Sequence, residues 1–158
     1  MDHPPRSSLA LRRIALLDGL SPERLDALAQ RCRWQHVPAD RPLLLRAQDR
    51  GELLLLVSGR VRVTTYAASG RQVTFRDLPA GEVLGDLAAL DGQPRSADVV
   101  TLEDSLVAVL ERADFLALLR EEPDLALRLM QRLALRVREL SGRVIELSTL
   151  AVPHRLQA

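Results

Sequence analysis

Gly81-Glu82-Val83-Leu84-Gly85-Asp86-Leu87-Ala88-Ala89-Leu90-Asp91-Gly92-Gln93-Pro94-Arg95-Ser96-Ala97 is the stretch on which the reading of this chain turns. A glycine–carboxylate pair, Gly85-Asp86, precedes a short apolar turn from Leu87 to Leu90, and Arg95-Ser96-Ala97 follows. A phosphate calls for a guanidinium fork and free backbone N–H groups, while a sugar hydroxyl calls for a carboxylate acceptor. This segment offers all three, which points to a small, singly charged sugar phosphate. Gly85 lets the backbone approach a ligand closely, and the turn from Asp86 to Ala89 presents successive N–H groups. Arg95 neutralises one phosphate charge through two parallel hydrogen bonds, Ser96 adds a hydroxyl, and Asp86 accepts from the sugar. A plainer arrangement also fits: an Asp86–Arg95 ion pair closing a loop.

On both sides of this segment the apolar period is two. Leu53 to Val57 reads as a buried strand and Ser58-Gly59 as a turn; Val61, Val63 and Thr65 then alternate with Arg60, Arg62 and Thr64. Ala68-Ser69-Gly70 makes the next turn, after which Val73 and Phe75 alternate with Thr74 and Arg76. Asp98 to Thr101 and Leu106 to Leu110 are further strands, divided by Glu103-Asp104. Short strands at close spacing imply an antiparallel β-roll, barrel or sandwich.

The flanks are helical. Residues 1–8 read as a flexible N-terminus and Leu9 to Leu17 as a short helix. Ser21-Pro22-Glu23 supplies an N-cap, a first-turn proline and an early acid for a helix to about Arg31, with Leu25, Leu28 and Ala29 as its apolar stripe. Arg112 to Arg120 suits another helix, and Pro123 opens a long one. Met130, Leu133, Val137, Leu140, Val144 and Leu147 are spaced as an unbroken heptad seam, flanked by a Glu139–Arg143 pair. Leu129, Leu135, Ile145 and Leu150 form a second apolar set. A helix apolar on two faces has two partners, the roll on one side and a second copy of the chain on the other.

Composition excludes several classes. The chain has 158 residues, 47% apolar and 27% charged, with a formal net charge of +1, so no strong field for nucleic acid exists. Cys32 is the single cysteine, which rules out an intrachain disulfide and fits a reducing, cytoplasmic setting. The longest apolar run, Leu53 to Val57, is too short to span a bilayer. His3, His36 and His154 are scattered, so no metal site is expected; no nucleophile–base pair is apparent, so the chain reads as a non-enzyme.

The chain resembles a cyclic-nucleotide-binding domain, the sensor half of bacterial Crp/Fnr-type transcription regulators, over about residues 18–152. The resemblance rests on Val57-Ser58-Gly59-Arg60-Val61-Arg62-Val63, Gly81-Glu82, Gly85-Asp86-Leu87-Ala88 and Pro94-Arg95-Ser96-Ala97, with the Arg112-to-Glu122 helix and the long helix from Pro123. It implies an α+β fold. An antiparallel, double-stranded jelly-roll-like β-roll with flanking helices would occupy residues 9–122, and a long C-terminal dimerisation helix residues 123–152. Residues 153–158 would begin a DNA-binding domain absent from this chain, or a tail, so DNA would be read only through that absent part. It further implies a cyclic nucleotide ligand, with cAMP foremost, no cofactor, and allosteric signalling through a homodimer.

By the same resemblance, Arg95 and Ser96 bind the cyclic phosphate with the backbone at Leu87 and Ala88, and Gly85 and Asp86 hold the ribose hydroxyl. Val63, Phe75, Leu78, Leu84 and Ala97 line the pocket, while Arg136, Leu140 and Ser141 approach the ligand from the long helix. Three residues depart from the pattern. Asp86 replaces a glutamate and is shorter by roughly 1.3 Å, and Leu140 stands where a threonine is familiar. Arg76 replaces a small polar residue; it could contact a ligand, pair with Asp86 or point to solvent. A second function fits these departures: a degenerate domain that serves for dimerisation or partner binding.

Overall fold

The computed structural model describes residues 8–44, 51–66, 73–95 and 97–151. In chain order the elements are α1 (Ser8–Leu11), a 3₁₀ turn (Ala15–Leu17), α2 (Pro22–Arg31), β1 (Arg33–Val37), β2 (Pro42–Leu44), β3 (Leu53–Ser58), β4 (Arg60–Tyr66), β5 (Val73–Pro79), β6 (Val83–Leu84), α3 (Asp86–Asp91), β7 (Ala97–Thr101), β8 (Ser105–Leu110), α4 (Arg112–Glu121) and α5 (Pro123–Ala151). The strands form two antiparallel four-stranded sheets, ordered β1-β8-β3-β6 and β2-β7-β4-β5. This is the expected α+β fold, a two-sheet β-roll flanked by N-terminal helices and a long C-terminal helix.

β3 explains why the roll has three layers. Its five apolar residues are all buried, yet successive side chains of a strand point to opposite faces. Leu53, Leu55 and Val57 join the core under the helices, together with Leu25, Leu28, Phe115, Leu125 and Leu129. Leu54 and Leu56 join a second core between the sheets, with Leu44, Val61, Leu84 and Val99. β8 is buried along its whole length for the same reason. At the β3–β4 turn, Gly59 has φ +103, and a Cβ there would come within 2.1 Å of Ser105 Oγ, so only glycine fits.

The α2 start behaves as its sequence requires. Ser21 Oγ accepts from the Arg24 N–H at 3.2 Å, Pro22 takes the first helical position, and Leu25, Leu28 and Ala29 are buried. The Leu9–Leu17 segment differs from expectation. It breaks after Leu11, passes through extended backbone at Ile14 and resumes as the 3₁₀ turn. Ala10, Leu11, Ile14, Leu16 and Leu17 are all buried. A continuous helix would set Leu16 about 200° from Ile14 and expose one of them.

The long helix also departs from its expected seam. Leu133 packs on the chain's own core, continuing the line of Leu125 and Leu129 at four-residue spacing, and so leaves the proposed dimer stripe. Met130, Val137 and Leu140 are exposed, and Leu127 adds to them. The side chains of Arg143, Val144, Ile145, Leu147 and Leu150 lie outside the described residues, as do residues 1–7, the Ala68-Ser69-Gly70 turn and the stretch from 152 to 158. Among the described residues no helix is long and apolar enough to cross a membrane.

Cys32 closes α2 and packs in the core beside the helices. Burial, aided by the Asp114 carboxylate, pushes its thiol up from 9.0 to about 12. The thiolate forms more readily in the unfolded chain, so this contribution to stability is constant below about pH 9 and is lost as pH rises from about 9 to about 12. We expect a thiol reagent at mildly alkaline pH to label the native protein at least ~100-fold more slowly than the urea-unfolded chain. Equal rates would show that the thiol is not held in the core.

Candidate nucleotide site

Register decides which side chains enter the space between the sheets. Directly opposed residues of an antiparallel pair share a face. Val61 pairs with Leu78 and Val63 with Arg76, whereas Thr64 pairs with Phe75 and Arg62 with Asp77. Val61 is fully buried, so Val63, Leu78 and Arg76 face inward with it. Phe75, expected in the pocket, is instead 63% exposed on the outer face. There Arg62 lies over its ring at 5.6 Å and forms a two-pronged pair with Asp77. The correction follows from one step of strand register: Arg76 takes the interior place assigned to Phe75.

The resulting cavity has a volume of about 280 Å³ and lies between the sheets, α3 and α5. Val63, Leu78, Leu84, Gly85, Asp86, Leu87, Ala88, Arg95, Ala97 and Arg136, all singled out from sequence, line it. Leu87 is half exposed at its edge. The apolar turn after Gly85 is the short helix α3, and Leu87 donates its N–H to Asp86 Oδ1 at 3.0 Å. Ser96 lies outside the described residues.

Arg95 is the electrostatic centre. Its side chain is buried, with the residue only 6% exposed, and one terminal nitrogen donates to the Glu52 carbonyl at 2.9 Å. The other terminal nitrogen, Nη1, is buried without a hydrogen-bond partner among the described residues. Desolvation pulls the guanidinium pKa below its ordinary value, and the Glu52 carboxylate works against that shift. A buried cation with a vacant donor is costly, and an anion accepting two hydrogen bonds relieves that cost. The Glu52 carboxylate is turned toward Arg33 at 3.3 Å. The cavity therefore fits a phosphate monoanion at Arg95.

The Asp86–Arg95 ion pair is not formed. Asp86, 5% exposed, accepts from Arg136 at 2.6 Å through Oδ2. Gly85 has φ +79, and a Cβ there would fall 2.3 Å from Arg95 Nη1, so the glycine makes room for the guanidinium as well as for the turn.

From α5 the cavity receives Arg132, Leu135, Arg136 and Glu139. These recur at i, i+3, i+4 and i+7, one face of a helix. Leu140 and Ser141 are not in the lining of this chain's own cavity. At 100° per residue, Leu140 sits about a quarter turn off that face and Ser141 about half a turn off. Sequence reasoning missed Arg132, Glu139 and Glu82, the last of which accepts from Arg132 at 2.5 Å. The i, i+3, i+4, i+7 spacing from Arg136 would have found the two helix residues. Among the described residues no cluster of possible metal ligands occurs.

A family model for the cyclic nucleotide-binding domain matches residues 35–122, and the chain belongs to that family. Among characterised proteins it is similar to the cyclic AMP receptor protein of Thermus thermophilus, with 35% identity over 124 residues, 78% of this chain and 57% of that relative. Among solved structures it is similar to the Thermus thermophilus catabolite activator protein, with TM-score 0.75 and 34% identity over 84% of this chain and 62% of that one. A cyclic nucleotide-binding domain from Methylobacillus flagellatus matches at TM-score 0.70 and 28% identity, covering 89% and 81% of the two chains. The chain thus spans less than two thirds of the length of either Thermus protein.

Gly85→Ala tests the cradle. Alanine at φ +79 is strained and its methyl group meets Arg95, so we expect a loss of about 1–3 kcal/mol in urea unfolding. An unchanged midpoint would mean that Arg95 has room to withdraw at no cost.

Proposed function

We propose that this chain is the ligand-sensing part of a transcription regulator of the Crp/Fnr kind, non-enzymatic, taking a cyclic mononucleotide and acting through a homodimer in the cytoplasm. The observation that carries the reading is the buried Arg95 guanidinium, whose Nη1 has no partner among the described residues, in a cavity that Asp86 also lines. In this reading Arg95 takes the cyclic phosphate, with Ser96 and the backbone at Leu87 and Ala88. Asp86 takes the ribose hydroxyl, with Gly85 allowing the approach. Val63, Leu78, Leu84 and Ala97 bound the apolar walls. The name of the Thermus relative makes cAMP the first nucleotide to test.

Calorimetric titration with cAMP and cGMP tests it directly. At least one should bind, and Arg95→Ala should weaken that binding about 100-fold while leaving the fold intact, since two charge-assisted hydrogen bonds are lost. Wild-type protein that takes up neither nucleotide at millimolar concentration ends this reading. A second reading, a domain that assembles with a partner without nucleotide, is favoured by the Arg136–Asp86 pair, which already occupies the ribose carboxylate. A rise in melting temperature with nucleotide excludes it.

The homodimer is supported by Leu127, Met130, Val137 and Leu140 on α5, apolar side chains left more than half exposed by the described residues. Sedimentation should give a dimer for wild type and a monomer for the Met130→Glu, Val137→Glu double variant. A wild-type monomer at high micromolar concentration would remove the dimer from the proposal.

A further inference from the structure

We infer that Arg76 and Glu139 form the base-reading end of the cavity and select guanine over adenine. The inference rests on the cyclic nucleotide reading of the same cavity and assigns the base that the phosphate and ribose contacts leave open.

Among the described residues, four arginines and three carboxylates line the cavity: Arg76, Arg95, Arg132 and Arg136 against Glu82, Asp86 and Glu139. Two pairs form, Arg132 with Glu82 and Arg136 with Asp86. Arg95 is set aside for the phosphate. Arg76 and Glu139 remain, each lining the cavity and each without a hydrogen bond or ion pair among the described residues.

Their position suits a base. Arg76 is on β5, the edge strand, and β4 separates it from β7, the strand that Arg95 leads into. Two strand spacings put about 10 Å between β5 and β7. A ligand with its phosphate on Arg95 and its ribose at Asp86 therefore extends its base across the sheet toward Arg76, beneath the α5 face that carries Glu139. The single phosphate charge is met by Arg95, so Arg76 is not needed there.

The chemistry then distinguishes the purines. Guanine carries two adjacent acceptors, N7 and O6, which match the donor fork of an arginine. It also carries donors at N1 and the 2-amino group, which match a carboxylate. Adenine sets an amino group beside N7 and so turns a donor toward the guanidinium. Guanine satisfies both leftover groups; adenine satisfies the arginine only at N7.

Titrations with cGMP, cAMP and cIMP, which keeps O6 and N7 but lacks the 2-amino group, test the assignment on wild type, Arg76→Ala and Glu139→Gln. We expect cGMP to bind wild type at least about 10-fold more tightly than cAMP. Arg76→Ala should narrow that difference by weakening cGMP more than cAMP, which loses only its N7 contact. Glu139→Gln should weaken cGMP more than cIMP. Both side chains are exposed, and thermal melting checks that the variants fold. Wild type binding cAMP as tightly as cGMP, or Arg76→Ala weakening both equally, overturns the inference while the cyclic nucleotide reading stands. Wild type binding neither overturns both.

Discussion

The guanidinium of Arg95 lies inside the roll against the Glu52 carbonyl, and much of the site geometry follows from keeping it there. Its second terminal nitrogen passes so close to the backbone after β6 that residue 85 has to lack a side chain. The pairing of β3 with β6, Leu54 opposite Leu84 and Leu55 opposite Val83, brings Glu52 and Gly85 to the same end of the first sheet. Apolar burial of β3 on both faces holds that pairing in place. A buried cation is therefore positioned by the hydrophobic core, without an ion-pair partner among the described residues. Such a group is poorly solvated and open to an anion of the right size.

α5 is tied to the same place from outside the roll. Arg132 and Arg136 reach down one face of the helix to Glu82 and Asp86, the residues on either side of β6. Leu125, Leu129 and Leu133 fix the helix to the core beneath, and the side away from the cavity is left apolar and exposed. Because Asp86 touches both the cavity and α5, any group that competes for its carboxylate changes how the helix is held. Coupling of that kind needs only different contacts in two states.

The parts of the fold legible in advance share a local cause. Ser21 caps α2 because its hydroxyl reaches an N–H three residues on, and Pro123 suits a first helical turn; neither depends on distant contacts. Leu53 to Val57 is a strand because five consecutive apolar residues require burial on both faces. The errors have a common source too. Phe75 and Arg76 are adjacent, and alternation along one strand does not say which of the two faces inward. The partner's register says so, through Val63 and Thr64. Leu133 fits a heptad seam and a core line equally well, and only its packing against the core under the helices decides between them.

The order of residues by itself determined the cassette: a glycine where the chain turns left-handed, a carboxylate after it and an arginine nine residues further on. Backbone sterics and charge complementarity act on those residues whatever surrounds them. Tertiary structure decided the partners. Asp86 pairs with Arg136 rather than Arg95, Arg76 enters the cavity in place of Phe75, and Arg132 and Glu139 arrive from a helix some fifty residues away in sequence. Which charges meet depends on strand register and on the rotation of α5 against the roll. Those are set by the packing of two cores, which no single segment encodes.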